Sequence, residues 1–348
     1  MSILEYSPSV FKHAFGTPGA RGVMRSCPED FQVDEILGFN PDGQGEHFLL
    51  HIRKRNTNTE WLARQLARFA EVKTMDVSYA GQKDRNAVTT QWFSVRIPGL
   101  TEPDWQQFNS DQYQVLDAAR HGRKLRRGSL KANSFSVVIR NLKGEQQLLE
   151  ERLCKIKENG VPNYFGEQRF GHNGDNLVLA DMMLVEGKKI KNRQKRSMCI
   201  SAARSYLFNL VCSERVARGN WNKALEGDAL ILSGTHSFFV PDSIDDEIQR
   251  RIDERDIMPS GPLWGRGKLP VHSQALMTEQ DVLAPYAKWC EGLEKLGLKQ
   301  ERRSLWLPVD NLQWEFSHHS VELKFMLPSG SYATSVIREV LDYYEHDV

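Results

Sequence analysis

The sequence has few cysteines and no long apolar run, and each shortage excludes a class of protein. No stretch approaches the roughly 20 apolar residues that a helix needs to span a bilayer. Residues 1–16 lack the basic segment and apolar core of a signal peptide. The five cysteines are scattered and include no C-x-x-C pair, which argues against a disulfide framework and against a cysteine-built zinc site. We therefore expect a soluble cytoplasmic protein with reduced thiols.

Motifs for nucleotides, metals and activated serines are also missing. The chain has no G-x-x-x-x-G-K-[ST] loop, no H-E-x-x-H helix and no G-x-S-x-G elbow. Among the ten histidines, His318 and His319 lie in a predicted turn and the others lack the spacing of metal ligands. The sequence thus predicts no metal and no cofactor. The groups left to carry chemistry are carboxylates, cations and aromatic rings.

Charge is balanced overall but unevenly placed along the chain. The 46 Lys and Arg against 45 Asp and Glu give a formal net charge of +1. No acid lies between Asp117 and Glu145, which enclose eight basic residues, or between Glu186 and Glu214, which enclose seven. Two segregated basic runs in a near-neutral protein are typical of a phosphate-binding face and predict a nucleic-acid partner. The alternative is a pair of ordinary solvated segments.

The order of predicted elements indicates an α+β protein of two domains, which 348 residues are enough to form. Strand patterns occupy residues 31–37, 47–53, 89–97, 112–119, 134–142, 304–309, 312–316 and 320–327. Helices are predicted at 58–70, 145–159, 176–186, 197–217, 279–296 and 333–344, a hairpin at 228–240 and a loop at 259–270. Thr57 and Glu60 suggest a capping box at the first helix. A helical middle between strand-rich ends predicts a domain of residues 159–303 inserted into a sheet domain of residues 1–158 and 304–348.

One short segment, 80-AGQKDRNAVTTQW-92, places a single carboxylate between two basic side chains. Asp84 stands between Lys83 and Arg85, on a loop that joins two predicted strands. The ordinary interpretation is a turn residue, because an Asp side chain bonds readily to nearby backbone. The other interpretation is a catalytic carboxylate among cations.

Three further segments could contribute to a site. Arg25 and Phe31 belong to 25-RSCPEDFQVDE-35, and Asn133 and Phe135 begin a strand beside the first basic run. Each has an ordinary alternative: a surface charge for Arg25, a turn former for Asn133 and core positions for the two rings. The segment 160-GVPNYFGEQRFGHNG-174 combines aromatic rings, glycines and an arginine, which could stack a base and hold a phosphate. It could equally be a tightly packed connection between domains.

Three strings together resemble the signatures of a known family. They are 81-GQKDRNAVTTQ-91, 163-NYFGEQRFG-171 and 195-KRSMCISAARSYLFN-209, and they resemble the TruD family, tRNA pseudouridine synthase D. The likeness continues in order to 328-PSGSYATSVIREVL-341 and covers nearly the whole chain. It implies a pseudouridine synthase catalytic domain with a mixed, largely antiparallel sheet, split by an inserted α/β TRUD domain. It also implies that a uridine of tRNA, at position 13 in bacterial members, is isomerised to pseudouridine without a cofactor or metal.

The resemblance implies roles for individual residues. The family's nucleophile matches Asp84, a residue type already ionised at neutral pH that needs no base to activate it. Whether it attacks the ribosyl carbon or the uracil ring stays open. The family's basic residue near the nucleophile matches Arg25, as an ion pair. Substrate contacts match Phe31, Asn133, Phe135 and Tyr332. Arg85 and Tyr332 depart from the family, which often has lysine and phenylalanine there.

The expected partner is tRNA, bound by a monomer without a membrane or an obligate protein partner. The candidates for contact with the RNA backbone are Lys83, Arg85, Arg123, Lys124, Arg126, Arg127, Arg169 and Arg193. Two other functions remain open. A noncatalytic RNA-binding protein would use the same basic residues and keep Asp84 as a structural ion pair. A metal-dependent nuclease would need clustered carboxylates near Asp84, and the sequence shows no such cluster.

Overall fold

The structure is a computed structural model that describes residues 11–99, 102–126 and 128–345. The described chain forms two compact units, each assembled from separate stretches of sequence. The sheet unit consists of residues 19–149, 309–330 and 341–345. The helical unit consists of residues 11–18, 150–308 and 331–340. The domain borders predicted from the sequence, near residues 158 and 303, stay a prediction.

The described residues form strands and α-helices with the following bounds. The strands are β1 Arg21–Met24, β2 Phe31–Leu37, β3 His47–Arg55, β4 Val77–Tyr79, β5 Val88–Arg96, β6 Tyr113–His121, β7 Leu130–Lys143, β8 Val161–Pro162, β9 Leu230–Leu232, β10 Phe238–Phe239, β11 Ile257–Leu263, β12 Glu301–Ser304, β13 Trp306–Leu307, β14 Asp310–Ser317, β15 Ser320–Pro328 and β16 Asp342–Glu345. The helices are α1 Thr59–Phe69, α2 Gln146–Asn159, α3 Asp175–Leu184, α4 Arg193–Ala217, α5 Asp246–Asp253, α6 Ser273–Leu283, α7 Ala287–Lys295 and α8 Ala333–Val340. No helix in the part of the chain that the structure describes is long and apolar enough to cross a membrane.

The sheet unit is built on one ten-stranded sheet. Its main path is β14-β15-β7-β2-β5-β3-β6, with β1 beside β7 and β16, and β4 beside β5. Only β2–β5 and β1–β16, among the described pairings of this sheet, are parallel. The prediction of a mixed, largely antiparallel sheet is therefore confirmed.

The register of β2, β7 and β15 gathers the predicted aromatic and amide residues on one face. Side chains two apart in a strand point to the same face, so Phe31 and Glu35 share a side. Glu35 lies opposite Asn133, and Phe135 lies opposite Phe325. The Phe31 and Phe135 ring centroids are 6.2 Å apart, and those of Phe135 and Phe325 are 5.3 Å apart. These rings form a buried layer beside the polar pair.

The first helix and its N-cap both lie one residue later than predicted. The side chain of Asn58, not Thr57, accepts hydrogen bonds from the backbone amides of Glu60 and Trp61. The prediction of a capping box from Thr57 and Glu60 is therefore wrong. Asn is at least as good an N-cap residue as Thr, and Asn58 stands directly before the helix. Thr57 instead turns its carbonyl to the ammonium group of Lys54.

Three other expectations about elements need correction. The helix predicted at 279–296 divides around Pro285, which lacks the N–H that a continuous helix requires. The helix predicted at 333–344 ends at Val340, because residues 342–345 pair with β1 instead. Residues 257–263 form strand β11, which overlaps the predicted loop at 259–270. Its Gly261 suits this crowded position, because a Cβ there would lie 2.9 Å from Leu305.

The helical unit packs its helices around α4, whose inner residues include Tyr206, Leu207 and Phe208. A four-stranded sheet in the order β10-β9-β11-β12 lies in the same unit and contains the predicted hairpin. The unit also buries an ion pair between Arg302 and Glu279, with a nitrogen–oxygen distance of 2.7 Å. Burial raises the pKa of Glu279, and the charge of Arg302 opposes that rise.

Candidate active site

Asp84 lies on the loop between β4 and β5 and forms an ion pair with Arg25. Arg25 Nη2 donates to Asp84 Oδ2 over 2.7 Å. The Asp84 side chain is 41% exposed, whereas the Arg25 side chain is only 8% exposed. The carboxylate is therefore accessible from solvent, while the guanidinium that pairs with it is buried. This is the arrangement that a nucleophile needs, because the reacting atom is accessible and its charge is balanced from behind.

Arg25 is held in place by its backbone and by an aromatic ring. It follows β1 with φ of +60°, a left-handed conformation that costs a non-glycine residue about 1–2 kcal/mol. Its guanidinium carbon lies 4.2 Å from the centroid of the Phe31 ring. Strained backbone at a charged, buried residue is a common feature of functional sites. Phe31 thus serves as the support of the arginine as well as part of the core.

A second cation, Lys54 at the end of β3, lies under the same loop. Its side chain is buried, and Nζ donates to the carbonyl oxygens of Thr57, at 2.7 Å, and of Asp84, at 3.2 Å. Burial lowers the pKa of Lys54 to about 8, although the charge of Asp84 acts to raise it. Sequence reasoning missed this residue. Its signal was the alternation of Leu50, Ile52 and Lys54, which places the lysine on a buried face of the strand.

Lys83 connects the Asp84 loop to Asn133 and Glu35. Lys83 Nζ donates to Asn133 Oδ1 over 2.7 Å and lies 2.9 Å from Glu35 Oε1. The Glu35 side chain is fully buried, and its other oxygen accepts a hydrogen bond from the backbone amide of Trp92 over 2.8 Å. Burial raises the pKa of Glu35, and Lys83 acts to lower it. Sequence reasoning missed Glu35 too, although its strand alternates with Phe31 and Val33 on the inner face.

Two buried polar side chains fix the backbone of the loop. Thr59 Oγ1 accepts a hydrogen bond from the backbone amide of Lys83 over 3.1 Å and donates to Gln91 Oε1 over 3.1 Å. Gln91 in turn donates to the carbonyl oxygen of Gly81. The loop is therefore anchored to α1 at Lys83 and to β5 at Gly81, just before Asp84.

The predicted site residues divide between the two units. The sheet unit brings together Asp84, Arg25, Phe31, Asn133, Phe135 and Lys83. It also carries exposed Arg85 on the Asp84 loop. Three more exposed basic residues lie on the segment before β7, and they are Arg123, Lys124 and Arg126. Arg127 lies outside the described residues. Arg169, Arg193 and Tyr332 belong to the helical unit.

The segment 160–174 forms a cluster of rings and guanidinium groups within the helical unit. Arg169 donates to the hydroxyl of Tyr332 and, over 3.0 Å, to Ser201 Oγ. The guanidinium of Arg303 lies 4.1 Å from the centroid of the Phe165 ring, and burial lowers its pKa to about 10. Arg193, by contrast, is exposed at the start of α4.

Among the described residues there is no group of three or more His, Cys, Asp or Glu side chains that could hold a metal ion. All five cysteines are unpaired, and they are Cys27, Cys154, Cys199, Cys212 and Cys290.

Comparison with known proteins places the chain in a family along nearly its whole length. The profile of the family described as tRNA pseudouridine synthase D (TruD) matches residues 9–191 and 185–340. The tRNA pseudouridine synthase D of Methylococcus capsulatus is 50% identical over 331 residues, which cover 95% of this chain and 94% of that protein. That of Nitrosococcus oceani is 50% identical over 340 residues, covering 97% and 95%.

A solved structure shows the same fold. It comes from Methanosarcina mazei, and its protein is provisionally assigned as tRNA pseudouridine synthase D (TruD). It superposes with a TM-score of 0.74 at 22% identity and covers 98% of both chains.

The fold and the family matches define the class of the protein, which is a pseudouridine synthase and therefore an isomerase. Within that class, the chain belongs to the tRNA pseudouridine synthase D (TruD) family. The resemblance and the α+β fold predicted from the sequence are both confirmed. The roles of individual residues stay predictions.

Proposed function

We propose that the chain isomerises a uridine of tRNA, at position 13, to pseudouridine with Asp84 as nucleophile. The observation that carries the proposal is the accessible carboxylate of Asp84 paired with the buried guanidinium of Arg25. Asp84 attacks the ribosyl carbon or the uracil ring, and the glycosidic bond breaks. The freed base rotates and bonds to the ribose through carbon 5, and the bond to Asp84 breaks, which restores the carboxylate. The proton on carbon 5 leaves to solvent, and N1 takes up a proton in its place. Atoms and electrons balance within the nucleotide, so the reaction needs no oxidant or reductant.

The surroundings of Asp84 support this role electrostatically. The target base must leave its stack in the RNA, at a cost of a few kcal/mol, and enter a site from which water is displaced. A carboxylate in such a site stays reactive when cations lie close to it. Arg25 contacts the Asp84 carboxylate directly, and Lys54 contacts the carbonyl of the same residue.

The proposed substrate contacts are Phe31, Asn133, Phe135 and Tyr332. Asn133 is the polar group among them, and its amide is held by Lys83 next to the nucleophile loop. Phe31 and Phe135 are mostly buried, so their contribution to a bound base comes from the edges that remain accessible. For Tyr332 the proposal rests on the match to the family motif.

The exposed basic residues are the proposed contacts for RNA phosphates. Arg85, Arg123, Lys124 and Arg126 of the sheet unit and Arg193 of the helical unit are all exposed. The proposal for Arg127 rests on its neighbours in sequence. Lys83 and Arg169 are engaged inside the protein, so their support for a phosphate role is weaker.

We further propose a monomeric, cytoplasmic enzyme with tRNA as its partner and no obligate protein partner. The unpaired state of all five cysteines supports a reducing compartment. The proposed catalytic domain comprises residues 1–158 and 304–348, with residues 159–303 inserted.

The test is tritium release from unmodified tRNA that carries tritium on carbon 5 of its uridines. The expected result is release by the wild-type protein, with one equivalent per tRNA and none when uridine 13 is replaced by cytidine. Release that persists with the cytidine tRNA would contradict the assigned position. Tight binding of several tRNAs without any release would instead support a noncatalytic RNA-binding protein.

A further inference from the structure

The orientation of the Asn133 side-chain amide follows from its contact with Lys83. A lysine ammonium has three donors and no acceptor, so only the carboxamide oxygen of Asn133 can face it favourably. The 2.7 Å distance between Lys83 Nζ and Asn133 Oδ1 agrees with that requirement. Among the described residues, Asn133 Nδ2 has no hydrogen-bond partner. The amide therefore keeps a donor available on the side away from Lys83.

The contact belongs to a buried polar chain, not to an exposed pair that solvent would loosen. Glu35 lies directly opposite Asn133 in the register of β2 and β7. Its fully buried carboxylate lies 2.9 Å from Lys83 Nζ, and the Lys83 side chain is only 12% exposed. The backbone amide of Trp92 holds the second oxygen of Glu35. Each member of the chain Glu35–Lys83–Asn133 is thus positioned by the one before it.

We propose that Glu35 and Lys83 are positioning residues that present Asn133 Nδ2 as a hydrogen-bond donor to a carbonyl oxygen of the target base. This inference rests on the proposed function, in which Asn133 contacts the uracil. Uracil offers carbonyl acceptors at O2 and O4, whereas its N3–H is itself a donor and cannot accept from Nδ2. The contacts among Glu35, Lys83 and Asn133 therefore restrict Asn133 to binding a carbonyl oxygen of the base and exclude binding to N3–H.

The same arrangement suits the rotation of the base during isomerisation. Rejoining through carbon 5 exchanges the positions of N1 and C5, which corresponds to a half turn about the line through N3 and C6. That turn also exchanges the two carbonyl groups. A fixed donor directed at one carbonyl position consequently finds an acceptor both before and after the rotation. An acceptor in its place would face a carbonyl oxygen and repel it in both states.

The experiment compares three substitutions, one at Asn133 and two at Lys83. Asn133→Asp keeps an oxygen for Lys83 and the size of the side chain but removes the donor. We expect the rate of tritium release at saturating tRNA to fall about 100-fold, since a donor is replaced by a charge that repels the carbonyl. Lys83→Met frees the amide to rotate, and we expect a smaller loss of about 10-fold. Lys83→Arg retains a donor and should restore part of that loss.

A second measurement uses tRNA in which the target uridine carries sulfur at position 2 or position 4. A thiocarbonyl is a weaker acceptor, so one or both substitutions should slow the wild-type protein. Lys83→Met should show a smaller sulfur effect, because its amide is no longer directed. Each variant should keep the far-UV circular dichroism spectrum of the wild type under the assay conditions, which separates positioning from loss of folding.

Two outcomes would overturn the inference. If Asn133→Asp releases tritium within twofold of the wild type, Asn133 does not act as a hydrogen-bond donor to the base. If Lys83→Met keeps the wild-type rate and sulfur effect, Lys83 does not orient the amide. Failure of the wild type to release any tritium would overturn the proposed function instead, so the two failures are distinguishable.

Discussion

Lys54 places an ammonium group in the interior of the sheet unit, and we predict that this charge destabilises the fold at neutral pH. Burial lowers the pKa of Lys54 from 10.5 to about 8. A difference of one pKa unit between the unfolded and folded states changes the free energy of unfolding by up to about 1.4 kcal/mol. Keeping the folded side chain charged at pH 7 therefore costs about 3 kcal/mol relative to the unfolded chain.

The sign of the pH dependence follows from the two pKa values. Between pH 8 and pH 10.5, the unfolded chain retains a proton that the folded protein has released. Stability therefore rises with pH across that window, and about 2 kcal/mol of the cost should disappear between pH 7 and pH 9.5. In the folded protein the ammonium group of Lys54 donates to the carbonyls of Thr57 and Asp84.

The assay is urea unfolding of the wild type, Lys54→Met and Lys73→Met at pH 7 and pH 9.5. Methionine keeps the length of the side chain without its charge, and Lys73 is an exposed lysine of the same unit. The free energy of unfolding of the wild type relative to Lys54→Met should increase by about 2 kcal/mol from the lower to the higher pH. Lys73→Met should follow the wild type. An unchanged difference for Lys54→Met would refute the burial of a charged lysine.

Three further predictions concern other ion pairs and the basic surface. Arg25→Gln should slow isomerisation about 100-fold with tRNA affinity unchanged, because the charge behind the nucleophile is lost; single-turnover rates test this, and a loss of affinity alone would contradict it. Glu279→Ala should lower the free energy of unfolding by about 3–5 kcal/mol, since it leaves Arg302 buried and unpaired. Urea unfolding checks this against Glu291→Ala, whose exposed pair with Lys295 should contribute less than about 1 kcal/mol. Arg126→Ala should reduce the slope of log affinity for tRNA against log salt concentration by about one. An unchanged slope would show that Arg126 does not contact the RNA.

Much of the fold followed from local patterns in the sequence. Strand β2 has the bounds predicted for it, because its apolar residues alternate and turn residues flank it. Strand β11 escaped prediction because glycine and proline normally mark loops, and its place in the sheet depends on tertiary packing around Gly261. The last helix was predicted too long because the pairing of β16 with β1 joins residues more than 300 positions apart.

The site was predictable in part for a similar reason. Asp84 is recognisable in the sequence because it stands alone among cations. The resemblance to the family predicted Arg25 as its ion-pair partner. Lys54 and Glu35 are charged residues within apolar strands, and only the assembled sheet shows that each is buried next to a charged partner. The dependence of Asn133 on Lys83 spans 50 positions and likewise requires the fold.

A single comparison can decide whether Asp84 is the nucleophile of a tRNA pseudouridine synthase. Tritium release and tRNA affinity should be measured in EDTA for the wild type and for Asp84→Asn, which keeps the shape of the side chain but removes its charge. We expect release by the wild type alone, with equal affinity for tRNA in both proteins. Release by Asp84→Asn at the wild-type rate would contradict it.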